Sequence, residues 1–322
     1  MPILPELKAM FDAQHNAPPM PSDQSPAQIR EAMHAMIEQS FAAFAVQPEP
    51  VLEERDVTIA VAGGEITLRI YRAAADDAPQ PCHVYYHGGG FFLGNLAQGD
   101  NLCRGLARQA GCVVVSVDYR LAPEHRFPVA AEDSYAALCW VAAHAADLGV
   151  DSARITVGGG SAGGNLAAVV SLLARDRSGP SVIGQVLEIP VTDFTSTTEL
   201  DFPDEGIHIA AEKGYAKIYL SDESDASDPL ASPLLAASLA GLPPALVLCA
   251  EYDQLQPEGE AYARRLSEAG VPTEYLCWAG QFHGSQSFDM IIPEEATAYR
   301  EKIVSFLREA YSAKRPNAPA PA

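Results

Sequence analysis

A serine, a histidine and an aspartate, each at a strand end or in a glycine-rich turn, carry most of the chemistry available to this 322-residue chain. Ser161 stands in Gly159-Gly160-Ser161-Ala162-Gly163, after the apolar run Arg154-Ile155-Thr156-Val157 and before a long apolar stretch. Such a strand-to-helix turn lifts a serine hydroxyl above a sheet, and the flanking glycines leave room for the strained serine backbone. Serine is a weak nucleophile near neutral pH and needs a base within hydrogen-bond reach. Of the eight histidines, His283 lies in the turn Gly280-Gln281-Phe282-His283-Gly284, just past the strand-like Glu274–Trp278. His125 is its competitor but precedes the serine, against the order serine, acid, histidine usual for this kind of site. The orienting acid is expected between the two. Asp253 follows the apolar run 245–250, and Asp193, one strand earlier, is the runner-up.

Attack on a carbonyl creates a negative oxygen that must be held by preorganised donors. His87-Gly88-Gly89-Gly90 closes the apolar run 83–87, and its glycines let backbone N–H groups reach such an oxygen. Gly88, Gly89 and Ala162 are the expected donors. A phosphate-binding loop is the alternative, but the segment lacks the GxGxxG and GxxxxGK[ST] layouts.

Composition narrows the field further. The chain is 48% hydrophobic and 20% charged, the profile of a packed protein. Its formal charge of −21 repels phosphate backbones and anionic membranes, so neither nucleic acid nor a membrane is an expected partner. The six cysteines form no CxxC pair and mostly adjoin apolar residues, which fits reduced, buried thiols in a cytoplasmic protein. No basic segment followed by an apolar run opens the chain, so no signal peptide is read there. Two uncharged stretches, 155–174 and 231–250, have spanning length, but glycines break the first and Pro233, Pro243 and Pro244 the second.

The elements that must position these residues follow a simple rhythm. Ser25, Pro26 and Gln28 are a helix-start signature, and Ile29, Met33, Met36, Ile37, Phe41 and Phe44 then fall on one apolar helical face. The segment 55–72 reads as a hairpin turning at Gly63-Gly64. After it, short β-branched runs near 83–87, 113–117, 154–157, 185–190, 245–250 and 274–278 alternate with helical stretches near 99–110, 131–146, from 162, 257–269 and 293–311. That alternation predicts an α/β fold whose mostly parallel sheet carries helices on both faces. Between 192 and 240 it lapses into acidic, Pro-containing sequence that looks inserted over the sheet. The last eleven residues, 312–322, read as a disordered tail.

Taken together, HGGGFFLG (87–94), DYRLAPEHRFPVAAED (118–133), GSAGGN (160–165), EYDQLQPEGEAYARRL (251–266) and GQFHG (280–284) resemble the bacterial hormone-sensitive-lipase family of carboxylesterases. The resemblance covers residues 50–311. It implies an α/β-hydrolase fold with an eight-stranded sheet and a helical cap, Ser161, Asp253 and His283 as triad, and DYRLAPEHRFP as a structural turn behind the site. The expected division is an N-terminal cap segment 1–50, catalytic parts 51–191 and 241–311, and an inserted cap segment 192–240. Under the cap, Met33, Ile37 and Phe41 would roof the substrate pocket and Phe91, Phe92 and Phe282 would border it. Two positions depart from the family: Gly160 replaces the usual acidic residue or Thr, and Pro257 replaces a second Asp.

The activity implied is hydrolysis of small, short-chain acyl esters through an acyl-enzyme on Ser161, with no metal or cofactor and with a homodimer left open. An amidase or formamidase using the same triad is the alternative. A non-catalytic binder on this fold is disfavoured because His283 is present.

Overall fold

The computed structural model describes residues 1–16, 24–43, 48–75, 78–210 and 213–313; no side chain is described at 26 or over 36–47. Helix α1 (Lys8–His15) and helix α2 (Pro26–Ala43) come first, followed by the hairpin β1 (Glu53–Val61) and β2 (Gly64–Arg72). The signature at the start of α2 is realised as a capping box. Ser25 Oγ accepts the Gln28 N–H at 3.3 Å and Gln28 Oε1 accepts the Ser25 N–H at 2.9 Å.

The chain then alternates through β3 (Gln80–Tyr86), α3 (Leu96–Ala110), β4 (Val113–Asp118), α4 (Val129–Ala143), β5 (Val150–Gly160), α5 (Ala162–Asp176) and β6 (Val182–Glu188). The insert holds a small hairpin, β7 (Leu200–Phe202) and β8 (Ile207–Ile209), and the single turn α6 (Ala216–Tyr219). Strand β9 (Ala245–Tyr252), helix α7 (Gln256–Glu268), strand β10 (Thr273–Phe282) and helix α8 (Pro293–Ser312) complete the fold.

Eight strands form one sheet in the order β1-β2-β4-β3-β5-β6-β9-β10. Strand β2 is antiparallel to both neighbours, and every later pairing is parallel. Burial explains the two kinds of sequence pattern. The edge strand β1 has one wet face and alternates, whereas β3 and β4 are covered on both sides and read as continuous apolar runs. Val113, Val115 and Val117 of β4 point into a core shared with α4, α5 and α7, while Val114 points into the core under α3 and α8.

A third, smaller core decides what lies above the strand ends. Ile3, Leu7 and Phe11 from the N-terminal segment meet Ile207 of the insert, Tyr252 at the end of β9 and Phe282 at the end of β10. The chain start and the insert therefore close over the carboxyl edge of the sheet. The insert is a hairpin and short turns, the single turn α6 among them, and the longer helices above the sheet edge are α1 and α2 at the chain start. One expectation changes here. Helix α8 runs through Ser312, one residue into the segment read as tail, and 314–322 lie outside the described residues.

Candidate active site

Ser161 sits at the junction of β5 and α5 with φ 56° and ψ −113°, a conformation a non-glycine residue adopts only when its surroundings hold it there. Those surroundings are tight. A Cβ on Gly163 would lie 1.9 Å from the Tyr86 carbonyl oxygen, so the helix can approach β3 this closely only with glycine there. The Ser161 N–H donates to the Glu188 carbonyl at 2.8 Å, and its own carbonyl accepts the Asn165 N–H at 3.0 Å. Helix α5 behind it is buried from Ala162 to Ala174, so the serine is mounted on a rigid support with the positive end of the helix dipole beside it.

The turn after β10 brings His283 Nε2 to 3.0 Å from Ser161 Oγ, and the turn after β9 brings Asp253 Oδ2 to 2.7 Å from His283 Nδ1. The second oxygen of Asp253 accepts the Leu255 N–H at 2.9 Å. Both carboxylate oxygens thus have partners although Pro257 has replaced the family's second Asp; that proline simply lies in the first turn of α7. The Asp253 side chain is 1% exposed and that of His283 31%, so the acid is sealed and the imidazole can be reached. Burial alone would lower the pKa of His283, but the charge of Asp253 and the hydrogen bond to it together outweigh burial and raise it above 6.5.

Asp193 is elsewhere. Its carboxylate accepts the Thr195 N–H and hydroxyl, and among the described residues it is His283, not His125, that hydrogen-bonds to Ser161.

Gly88 and Gly89 form the facing wall. A Cβ on Gly89, which has φ +122°, would fall 2.3 Å from the Leu93 carbonyl oxygen, so only glycine fits the turn. His87 sets the plane of the peptide that follows it. Its Nδ1 lies 2.8 Å from the Gly88 carbonyl, which can only accept, so Nδ1 carries the proton and the Gly89 N–H of the same peptide unit points the opposite way. Burial pushes the pKa of His87 down to about 4, and its Nε2 is buried without a partner, a position that suits the unprotonated nitrogen of the neutral ring better than a charged N–H. The ring stacks on Tyr119 at 4.3 Å, and the Tyr119 hydroxyl donates to the His87 carbonyl at 2.8 Å. The run 118–133 thus props this loop from behind. Among the described residues, the N–H groups of Gly88, Gly89 and Ala162 make no hydrogen bond, which leaves all three free to donate.

The aromatic residues expected to border a substrate are all buried. Phe91 is 0% exposed and stacked on Tyr219 at 3.8 Å, so it packs the loop against the insert and offers a substrate no surface. Phe282 is 2% exposed and packs edge-on against Phe11 at 5.7 Å, joining the His283 turn to α1. Phe92 is also buried, and Met33 packs, half-buried, against the main core. The side chains of Ile37 and Phe41 lie outside the described residues.

Sequence reasoning missed a buried ion pair beneath the site. Glu258, in the first turn of α7, accepts the Thr192 N–H at 2.8 Å, the Asp193 N–H at 3.2 Å and the Lys213 ammonium at 2.5 Å. Lys213 also donates to the Asp193 carbonyl, tying the insert to the helix that begins just after Asp253. Burial raises the pKa of Glu258 while Lys213 and the two amides pull against it. The only available signal was a lysine and a glutamate of opposite charge far apart in an acidic chain. Asn165 was visible in the GSAGGN motif, and its amide nitrogen donates to the carbonyls of Val191 and Ala231, joining the start of the insert to its last part. Among the described residues no cluster of three or more His, Cys, Asp or Glu side chains is arranged to hold a metal ion.

Comparison with known proteins fits this geometry. A family model described as the alpha/beta hydrolase fold matches residues 83–287, from β3 through His283. The chain belongs to the α/β-hydrolase family. A hyperthermophilic esterase from the archaeon Pyrobaculum calidifontis superposes on this hydrolase with a TM-score of 0.85 at 41% identity, over 97% of this chain and 100% of that one. The arylesterase of Saccharolobus solfataricus is 38% identical over 294 residues, 88% of this chain and 92% of its own. The carboxylic ester hydrolase LipN of Mycobacterium tuberculosis is 44% identical over 246 residues, 74% of this hydrolase but 65% of that relative's length. These relatives and the motifs together put the hydrolase on the hormone-sensitive-lipase branch of esterases.

Proposed function

We propose that the protein hydrolyses small carboxylic esters with short acyl chains, with Ser161 as nucleophile, His283 as general base and Asp253 as the acid that orients it. The observation that carries this reading is the unbroken series from the Asp253 carboxylate through the imidazole to the Ser161 hydroxyl, 2.7 Å and 3.0 Å at its two links. Asp253 accepts the hydrogen bond from Nδ1–H, which keeps the proton on that nitrogen and leaves the Nε2 lone pair facing the serine. As Ser161 Oγ attacks the ester carbon, its proton passes to His283 Nε2, and the carbonyl oxygen becomes an anion facing the amides of Gly88, Gly89 and Ala162. Each such donor contributes about 3–4 kcal/mol to the transition state. The imidazolium then protonates the leaving alcohol. Water, deprotonated by the same imidazole, releases the acid and regenerates the serine. The mechanism calls for no metal or cofactor.

Short acyl chains are favoured because the N-terminal segment and the insert enclose the carboxyl edge of the sheet around Tyr252 and Phe282. A rate profile across p-nitrophenyl esters from acetate to palmitate, with the matched anilides alongside, tests the substrate class. The maximum is expected at short esters. A maximum at palmitate would overturn the chain-length reading, and anilides cleaved faster than esters would make the protein an amidase.

No helix among the described residues is long and apolar enough to cross a membrane. A cytoplasmic protein is the matching location, supported by six free cysteines, four of them buried, with Cys139 half-buried and Cys277 on β10 exposed. A homodimer is the assembly to test, since β10 closes one edge of the sheet with an unpaired side. Light scattering in solution reads it directly.

A further inference from the structure

Helix α2 grips the backbone of the Gly88–Gly94 turn. Arg30 Nε donates to the Phe92 carbonyl at 2.6 Å, and its Nη2 donates to the Ala122 carbonyl. The outer side of the same guanidinium is paired with Glu124 at 2.7 Å, and the arginine side chain is only 19% exposed. One helical turn further on, His34 Nε2 accepts the Gly94 N–H at 3.2 Å. Ala122, held by Arg30 through its carbonyl, donates its N–H to the Phe91 carbonyl at 2.9 Å.

These contacts converge on two peptide units from Gly89. The carbonyl of Phe92 belongs to the peptide whose N–H is that of Leu93, and that N–H donates to the Gly89 carbonyl at 2.8 Å. Arg30 therefore fixes the peptide that in turn fixes Gly89. A guanidinium is suited to the task because its planar fork binds two carbonyls and a carboxylate at once and stays charged at every working pH.

We propose that Arg30 and His34 are positioning residues for the oxyanion hole, so that the N-terminal cap helix sets the aim of the Gly88 and Gly89 amides as well as covering the substrate. The inference rests on the reading of those two amides as oxyanion donors. Its consequence is a kinetic one. An interaction that matters only when the oxyanion forms affects kcat, whereas a wall of the pocket affects KM.

The test is Arg30→Met, which keeps most of the aliphatic stem, assayed with p-nitrophenyl acetate and with a trifluoromethyl ketone whose serine adduct carries an oxyanion. We expect kcat to fall tenfold or more, toward the roughly hundredfold that a misplacement of about 1 Å costs. KM should stay within about twofold, and ketone affinity should fall by the same factor as kcat/KM. Glu124→Gln, which leaves both carbonyls held, should lose far less. Wild-type kcat in folded Arg30→Met, a rise in KM alone, or a kcat loss without loss of ketone affinity would each overturn the proposal. If Arg30→Met does not fold, His34 decides. His34→Gln keeps an acceptor for the Gly94 N–H and should retain kcat, while His34→Leu should lose it; equal behaviour of the two contradicts the proposal. A wild-type enzyme indifferent to the ketone would instead refute the oxyanion reading itself, whatever Arg30 does.

Discussion

The His283 imidazole lies 2.7 Å from a carboxylate oxygen of Asp253 that is almost sealed from water, and this one contact sets both the tautomer and the acidity of the base. Burial would make the ring easy to deprotonate, but Asp253 overrides it and holds the pKa above 6.5. The neutral ring is the working form, so kcat/KM should rise with pH through a midpoint above 6.5. The stability owed to the charged ring behaves oppositely: it is full below the unfolded value and lost as pH rises through the raised native one. A pH–rate profile with its acid limb below 6.5 would contradict the assignment of Asp253 as the neighbour that raises it.

Asp253 and Asp193 follow adjacent strands of the sheet, and only the first touches the histidine. Replacing Asp253 by Asn offers Nδ1 a neutral partner that no longer enforces the tautomer, so turnover should fall by about three to four orders of magnitude. Its acid limb should also move downward, since burial is then left to act on His283 alone. Asp193→Asn, which disturbs a local turn at Thr195, should stay within about a factor of ten on the same steady-state assay. The reverse ranking would exchange their roles.

Gly160 and Gly163 flank the elbow yet differ in what a side chain would meet. A Cβ at Gly160 has nothing within 4 Å, in the space where the family carries an acidic residue or Thr, while at Gly163 it would lie 1.9 Å from a backbone oxygen. Gly160→Ala should therefore keep or slightly raise stability, by about 0.4–1 kcal/mol. Gly163→Ala should cost about 3 kcal/mol or more, the upper end of overpacking. Urea midpoints compare the two, and equal losses would show that the elbow is not held by the contact with Tyr86.

Lys213 and Glu258 join the insert to α7 with side chains 6% and 2% exposed. Lys213→Met leaves a buried carboxylate without its cation and should destabilise by about 3–5 kcal/mol at neutral pH. The deficit should shrink as pH falls and Glu258 protonates, and adding Glu258→Gln should recover most of it. Loss of less than about 1 kcal/mol in thermal denaturation would mean that the insert is held by its apolar contacts instead.

Much of this was legible because it is local. The capping box at Ser25, the hairpin turn at Gly63 and the alternation of strands and helices each reside in a few consecutive residues, and they predicted the sheet and its two helical faces. Ser161 and His283 were found because each sits in a glycine-marked turn after a strand, and Asp253 because it follows a strand between them in the chain. Contacts that depend on distant partners were not readable. The packing of Phe91 on Tyr219 turned an expected pocket residue into a core one, since sequence does not tell which way a loop aromatic faces. Nothing local joined Lys213 to Glu258 or Arg30 to Phe92, and α1 has no signature beyond weak apolar spacing.

The most direct test of the central claim is rapid-quench mass spectrometry of the enzyme mixed with p-nitrophenyl acetate. The account expects a single acetyl group on the peptide containing Ser161, formed and lost at rates that match turnover, with neither acetyl nor turnover in Ser161→Ala. Acetylation at another residue, or ester hydrolysis persisting in pure, folded Ser161→Ala, would contradict it.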